Sequence, residues 1–238
     1  MQTTVSAAND GAGRVSATVG AITRLIRASD LGPGDRLPSE AALSRDLNVS
    51  RTVIREAFRS LAAMRLIELS VGKRATVAVL DYAALSPMIE HGVHTEQISI
   101  QQIYDVRRTI EQRTAALAAL RRSDDQGRKI LDHAEAMKAS LDTPEMVMEH
   151  DLGFHIAIAK AARNPVFTLI VGAFDGVTRQ TWPIGWRSRR DREEQLFMLN
   201  LHLAIATAIV AGDPQAAAGN MALHFDESVR ALIVAGIA

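Results

Sequence analysis

Apolar residues fall into a helical rhythm early in the chain. Val19, Ile22 and Ile26 share one face of a segment over residues 15–29. Leu31-Gly32-Pro33-Gly34-Asp35 is a turn signal that ends it. Ser39 and Glu40 open a short second helix to about Leu47, with Ala42, Leu43 and Leu47 inward. Asn48-Val49 is a tight connection, and Ser50 can cap a third helix to about Met64. In that helix Val53, Ile54, Ala57, Phe58 and Leu61 make one stripe. Residues 66–70 and 75–80 are β-prone runs on either side of Gly72-Lys73-Arg74, the pattern of a two-stranded hairpin. The predicted order is helix, helix, helix, hairpin.

Residues 81–98 hold Pro87 and Gly92 with little periodicity and read as a linker, with a short helix as an alternative. Beyond them every long segment is helical in pattern, over 99–122, 125–141, 145–162, 165–183, 190–211 and 214–235. Breakers separate these spans: Ser123, Pro144, Asn164-Pro165, Pro183 to Gly185, and Gly212-Asp213-Pro214. The predicted fold class is mainly α. It joins a small N-terminal module of three helices plus a hairpin (14–80) to an all-α bundle (99–238).

Length and composition narrow the picture. The 238 residues suffice for one large domain or two small ones, and 47% are apolar, enough for a core. Lys plus Arg equals Asp plus Glu, 27 each, but residues 1–80 carry eleven basic against seven acidic side chains. The excess reverses later, which suggests an anionic partner for the first part. There is no cysteine, so a metal site must use His and carboxylates. Residues 1–13 lack the basic and apolar regions of a signal peptide and read as a disordered arm. The longest apolar stretches, 203–211 and 231–238, are short for a bilayer, so the expectation is a soluble cytoplasmic protein with no membrane partner.

The third helix carries Arg51, Arg55 and Arg59 at spacing four, opposite the apolar stripe. Ser50 and Thr52 add hydroxyls at its start, where backbone amides favour phosphate. Arginine grips guanine edges or phosphate bidentately. A solvated charged face is the bland alternative for an isolated helix. The tight turn before it, and Lys73 and Arg74 at the expected hairpin tip, favour DNA.

At these residues the sequence resembles the GntR superfamily of winged helix-turn-helix regulators. The resemblance rests on Gly34-Asp35-Arg36-Leu37-Pro38-Ser39-Glu40, Leu43 and Val49-Ser50-Arg51-Thr52-Val53-Ile54-Arg55-Glu56-Ala57. It implies that Arg36, Ser50, Arg51, Thr52 and Arg55 contact a double-stranded DNA operator. It also implies that a wing at Gly72 and Lys73 enters the minor groove. Two positions depart from the pattern. Ala41 stands where the family often has a DNA-contacting arginine, and Gly72-Lys73-Arg74-Ala75 replaces the usual Gly-x-Gly-Thr wing.

Further on, Asp151 and His155 lie one turn apart on a predicted helix. His202 shares an apolar face with Ile205 and Ile209, and His224 lies near Met221 on the last helix. Three imidazoles and a carboxylate on inward faces can hold a divalent cation. Each histidine taken singly also fits a hydrogen-bonded core residue. The surrounding Asp151-x-x-Phe154-His155, Asn164-Pro165, His202-x-x-Ile205, Ala211-Gly212-Asp213 and Met221-x-x-His224 resemble the FCD ligand-binding domain of the FadR subfamily. The resemblance implies a metal on Asp151, His155, His202 and His224, with Zn, Ni, Mn and Fe all compatible with N/O ligands. It also makes Arg107, in Tyr104-Asp105-Val106-Arg107-Arg108-Thr109-Ile110-Glu111, a candidate for facing the effector; an i,i+4 salt bridge to Glu111 is the alternative. His91, His94, His133 and His150 match nothing and read as surface or linker. Trp182 and Trp186 read as core, cavity lining or a dimer contact. Six predicted helices point to the shorter variant of that domain.

The expected function is a DNA-binding regulator, in the family's commoner mode a repressor, acting as a homodimer and not an enzyme. Its expected effector is a small carboxylate held by the metal and Arg107. A regulator for which the cation itself is the signal is one alternative. A His/Asp metallohydrolase is another, disfavoured because no His-Glu-x-x-His motif or spare general base occurs.

Overall fold

The computed structural model describes residues 3–189 and 191–237, with side chains from residue 13 onward. It divides into two compact units, Met1–Ala84 and Leu85–Ala238.

The first unit begins with α1 (Thr3–Ala28), followed by α2 (Glu40–Asp46) and α3 (Arg51–Ala63). The helix therefore includes most of the stretch expected to be an arm; residues 1 and 2 lie outside the described ones. No proline interrupts it, and Ala7, Ala8 and Ala12 favour helix strongly. Both short helices start on serine caps: Ser39 accepts from the Ala42 amide and Ser50 from the Val53 amide, at 3.2 and 3.3 Å. Asn48 turns the chain between them at φ 51°, a left-handed conformation that asparagine tolerates. Ile22, Leu37, Leu43, Ile54, Ala57, Phe58, Leu61 and Ile67 close the core.

The hairpin is shorter than its β-prone runs. β1 (Ile67–Glu68) pairs antiparallel with β2 (Thr76–Val77), Ile67 opposite Val77. Leu66, Leu69, Val79 and Leu80 are exposed, so little packing extends the ladder. The other edge of β2 is taken by residues 34–37: Leu37 donates to the Ala75 carbonyl and Val77 to the Asp35 carbonyl, both at 2.9 Å. Gly72, at φ 72°, makes the tip turn, a conformation that glycine adopts without strain. A 3-10 turn, Tyr82–Ala84, ends the unit.

Eight helices make up the second unit among the described residues: α4 (Ser86–His94), α5 (Ile100–Arg121), α6 (Asp124–Ala139), α7 (Pro144–Ala161), α8 (Pro165–Ala173), α9 (Asp175–Ser188), α10 (Arg192–Ala211) and α11 (Pro214–Val234). Six were expected over 99–238, where seven are found. The expected linker 81–98 contains α4, whose Ile89 and Val93, together with Ile98, pack against Ile103, Phe174 and Val177. Pro87 sits in its first turn, where proline suits a helix. The single span expected over 165–183 is two helices, divided at Phe174, and Pro183 lies inside α9 instead of ending it.

α5, α7, α10 and α11 surround the main core, with Phe154, Ile158, Leu199, Ile205, Ile209, Met221 and Phe225 buried. α10 is long and apolar enough by composition to cross a bilayer, but its apolar face is the one that fills this core.

Candidate functional site

The recognition-helix candidates lie in the first unit. Arg51, Thr52, Arg55 and Arg59 are exposed along α3. Ser50 spends its hydroxyl on the cap. Arg55 Nε donates to Glu40 Oε2 at 2.8 Å and Arg59 to Glu56 Oε1 at 2.6 Å, so both are in surface ion pairs that water and phosphate can replace. Gly72, Lys73 and Arg74 are exposed at the hairpin tip, and Arg36 is exposed on the strip beside β2. Ala41 is half-buried in α2.

In the second unit, α7 supplies Asp151 and His155, α10 supplies His202 and α11 supplies His224, all four buried. One ligand atom from each lies within 4.8 Å of all the others. Each imidazole has its Nδ1 against a neighbouring group. His202 donates to the Met198 carbonyl at 2.9 Å, His224 meets Met198 Sδ at 3.2 Å, and His155 abuts the Glu111 carboxylate. That leaves the three Nε2 atoms for a cation, with ring orientation fixed from behind.

Both ring nitrogens of His155 and the Nε2 of His202 are buried without a hydrogen-bond partner. His202 Nε2 approaches Asp151 Oδ1 to 2.6 Å, but not in hydrogen-bonding direction. Donors that converge on a shared point without bonding one another are the arrangement a metal ion satisfies. The residues fit the group.

Electrostatics agree. Burial alone would raise the Asp151 carboxyl; contact with His202, with His155 and His224 nearby, outweighs burial and holds it well below the usual carboxylate range. Burial, reinforced by His202 and His155, pushes His224 well below its ordinary value, which favours the neutral ring that a metal would need. Around the set, Arg107 Nε donates to Glu111 Oε1 at 2.8 Å and its terminal nitrogen to Thr178 at 2.9 Å. Arg107 therefore makes the salt bridge held as the alternative and also lines the cavity containing the four ligands. Burial would raise Glu111, but Arg107 and His155 keep it low.

The cavity has about 40 Å³ for water-sized groups, and one water needs about 10–15 Å³. Its wall includes residues that sequence reasoning left unassigned: Tyr104, Thr178, Thr181 and Arg189. Nothing local marked them, because α5 and α9 meet only in the folded bundle. Glu111 was visible only as a partner for Arg107. Trp182 and Trp186 stack with centroids 5.0 Å apart and line this cavity too.

A serine-capped helix with exposed arginines and a hairpin with a basic tip in one unit, joined in sequence to an all-helical unit, is the architecture of a DNA-binding transcription regulator. Comparison with known proteins gives the family. Residues 15–77 match the family described as bacterial regulatory proteins, gntR family, and residues 102–227 match the FCD domain. The chain belongs to the GntR family of DNA-binding transcriptional regulators, in its FCD-containing, FadR-like branch. It is 27% identical to the HTH-type transcriptional regulator LutR of Bacillus subtilis, over 84% of this chain and 92% of that protein. It is 31% identical to the galactonate operon transcriptional repressor of Escherichia coli, over 78% of this chain and 82% of that protein. A solved structure, the GntR protein of Streptococcus agalactiae, superposes with a TM-score of 0.68 at 25% identity, over 91% of this chain and 98% of that one.

Proposed function

We propose that the chain is a homodimeric cytoplasmic repressor whose hold on a DNA operator is set by a small organic acid bound at a divalent metal site. The observation that carries the reading is one buried cavity lined at once by Asp151, His155, His202, His224 and the guanidinium of Arg107. Four protein ligands leave open positions on an octahedral cation, which when bound supplies a Lewis acid for a carboxylate with an adjacent hydroxyl. Zn, Ni, Mn and Fe all suit the donor set. Arg107, and Arg189 at the end of α9, place positive charge on the same wall, which offsets the cost of burying an anion. The small volume favours a short acid over a long acyl chain. The Escherichia coli relative is by name the repressor of a galactonate operon, and galactonate is such a hydroxy acid.

On the DNA side, Arg36, Ser50, Arg51, Thr52, Arg55, Gly72 and Lys73 form the proposed contact set. A single module of this size covers too little DNA for the usual specific affinity, which supports two copies on a two-fold operator. An operator partner supports the cytoplasmic reading.

The test is calorimetric titration of sugar acids and hydroxy acids into metal-loaded, metal-free and Arg107→Ala protein, paired with operator binding by fluorescence anisotropy. The expected result is binding to the metal-loaded form alone, with operator affinity changed by the same acid; the acid must bind the two states unequally. Equal binding to all three forms refutes the site. Operator affinity that follows metal occupancy and ignores every acid would make the cation itself the signal.

A further inference from the structure

Outside that cavity, His133 on α6 and His150 on α7 face one another across an open groove between the two helices. Their Nδ1 atoms are 3.4 Å apart and their ring centroids 5.7 Å. That is long for a hydrogen bond, which is usually about 2.7–3.2 Å. Two imidazole nitrogens on one tetrahedral cation, each about 2.0–2.1 Å from it, stand about 3.3–3.4 Å apart. The pair is therefore already spaced as two ligands. Among the described residues, each ring has only the other as a hydrogen-bond partner.

The fit is built into α7. A Cβ on Gly153 would stand 2.5 Å from His133 Cε1 and 3.0 Å from each ring nitrogen. The imidazole occupies the space that glycine leaves. Burial, with His150 adding, lowers His133, so its lone pair is available. Asp132 and Gln126 line the same groove and offer oxygens. Two lysines also line it; Lys129 is paired with Asp125 at 2.8 Å, and Lys160 is exposed to water.

We propose that His133 and His150 form a second, solvent-open transition-metal site, separate from the cavity. Two imidazoles suit Cu²⁺, Ni²⁺ and Zn²⁺, with water completing the shell. A cation there bridges α6 to the helix that carries Asp151 and His155.

The test is equilibrium dialysis of full-length protein against Ni²⁺ or Zn²⁺, with metal per chain measured by elemental analysis. Wild type should hold one equivalent more than His133→Gln and one more than His150→Gln. Gly153→Ala, which displaces the ring, should lose the same equivalent. A His91→Gln plus His94→Gln variant, lacking the exposed histidine pair on α4, should keep the wild-type count. Because the comparison is a difference, it stands whether or not the cavity site fills. Equal counts in wild type and the His133 and His150 variants overturn the proposal, as does loss only in the α4 variant. On unmutated protein, Cu²⁺ added after the first equivalent should show electron-spin coupling to two nitrogens; a spectrum with oxygen ligands alone also overturns it.

Discussion

Replacing Arg107 by alanine would do more than remove an effector contact. The Arg107 and Glu111 side chains are 5% and 1% exposed and bonded at 2.8 Å. The guanidinium also donates to Thr178 and lies over the Tyr104 and Phe225 rings, 5.5 and 5.0 Å from their centroids. Truncation leaves Glu111 buried with its negative charge uncompensated on that side. Breaking such a pair costs about 3–5 kcal/mol. For a unit the size of Leu85–Ala238, each kcal/mol lowers the Tm by about 2–4 °C, so the drop should be roughly 6–20 °C.

The pH dependence carries a sign. In wild type the folded Glu111 carboxyl is held low by Arg107 and His155 against burial. Its contribution is present above the ordinary carboxylate range and is lost as the pH falls through the depressed folded value. Without Arg107, burial raises Glu111, and the protonated form becomes the one tolerated inside. The penalty of Arg107→Ala should therefore shrink as the pH is lowered toward the carboxylate range. Replacing both partners by methionine should recover most of the loss, since an apolar pair leaves no orphaned charge. The assay is thermal unfolding of metal-free protein at neutral and mildly acidic pH. A penalty under about 1 kcal/mol at neutral pH, or one that does not change with pH, would refute the account of this pair.

Other expectations follow from the same geometry. Arg51→Ala should weaken specific operator binding by about 1–3 kcal/mol per lost bidentate contact, with helicity unchanged; an unaltered anisotropy titration would remove α3 as the reader. Glu40→Gln frees Arg55 from its surface pair, so operator affinity should hold or rise, by no more than about 1 kcal/mol; a loss would show that Glu40 positions the arginine on DNA. Combining His202→Ala with His224→Ala should empty the cavity of metal by elemental analysis, and retained cavity metal would contradict the ligand set. Sedimentation without DNA should give twice the 25.8 kDa chain mass; a monomer at micromolar concentration would contradict the dimer.

The first unit was legible because its signals are local. The serine caps, the turn at Asn48 and the apolar stripe of α3 act within a few residues, and the helices begin where the caps sit. The errors lie where tertiary packing overrides punctuation. Pro183 reads as a breaker, yet it sits inside α9. Nothing in the sequence around Phe174 announces the division between α8 and α9. The four ligands could be picked out singly, and the resemblance grouped them. Their meeting point depends on three helices from distant parts of the chain, and local pattern does not encode it. The same holds for Glu111 behind His155, Arg189 at the cavity and the pairing of His133 with His150.

Met198 touches two of the proposed ligands at once, the carbonyl holding His202 within α10 and the sulfur meeting His224 on α11. The first contact travels with α10, but the second spans two helices, as does the close approach of His202 to Asp151 on α7. A slip of α10 along its axis by even one residue, about 1.5 Å, would part both interhelical contacts together. The three helices are thus pinned at one level, like rods through a common rivet. Motion that keeps the cluster intact has to swing about that level, and a pivot moves the far ends of long helices most while leaving the fulcrum still.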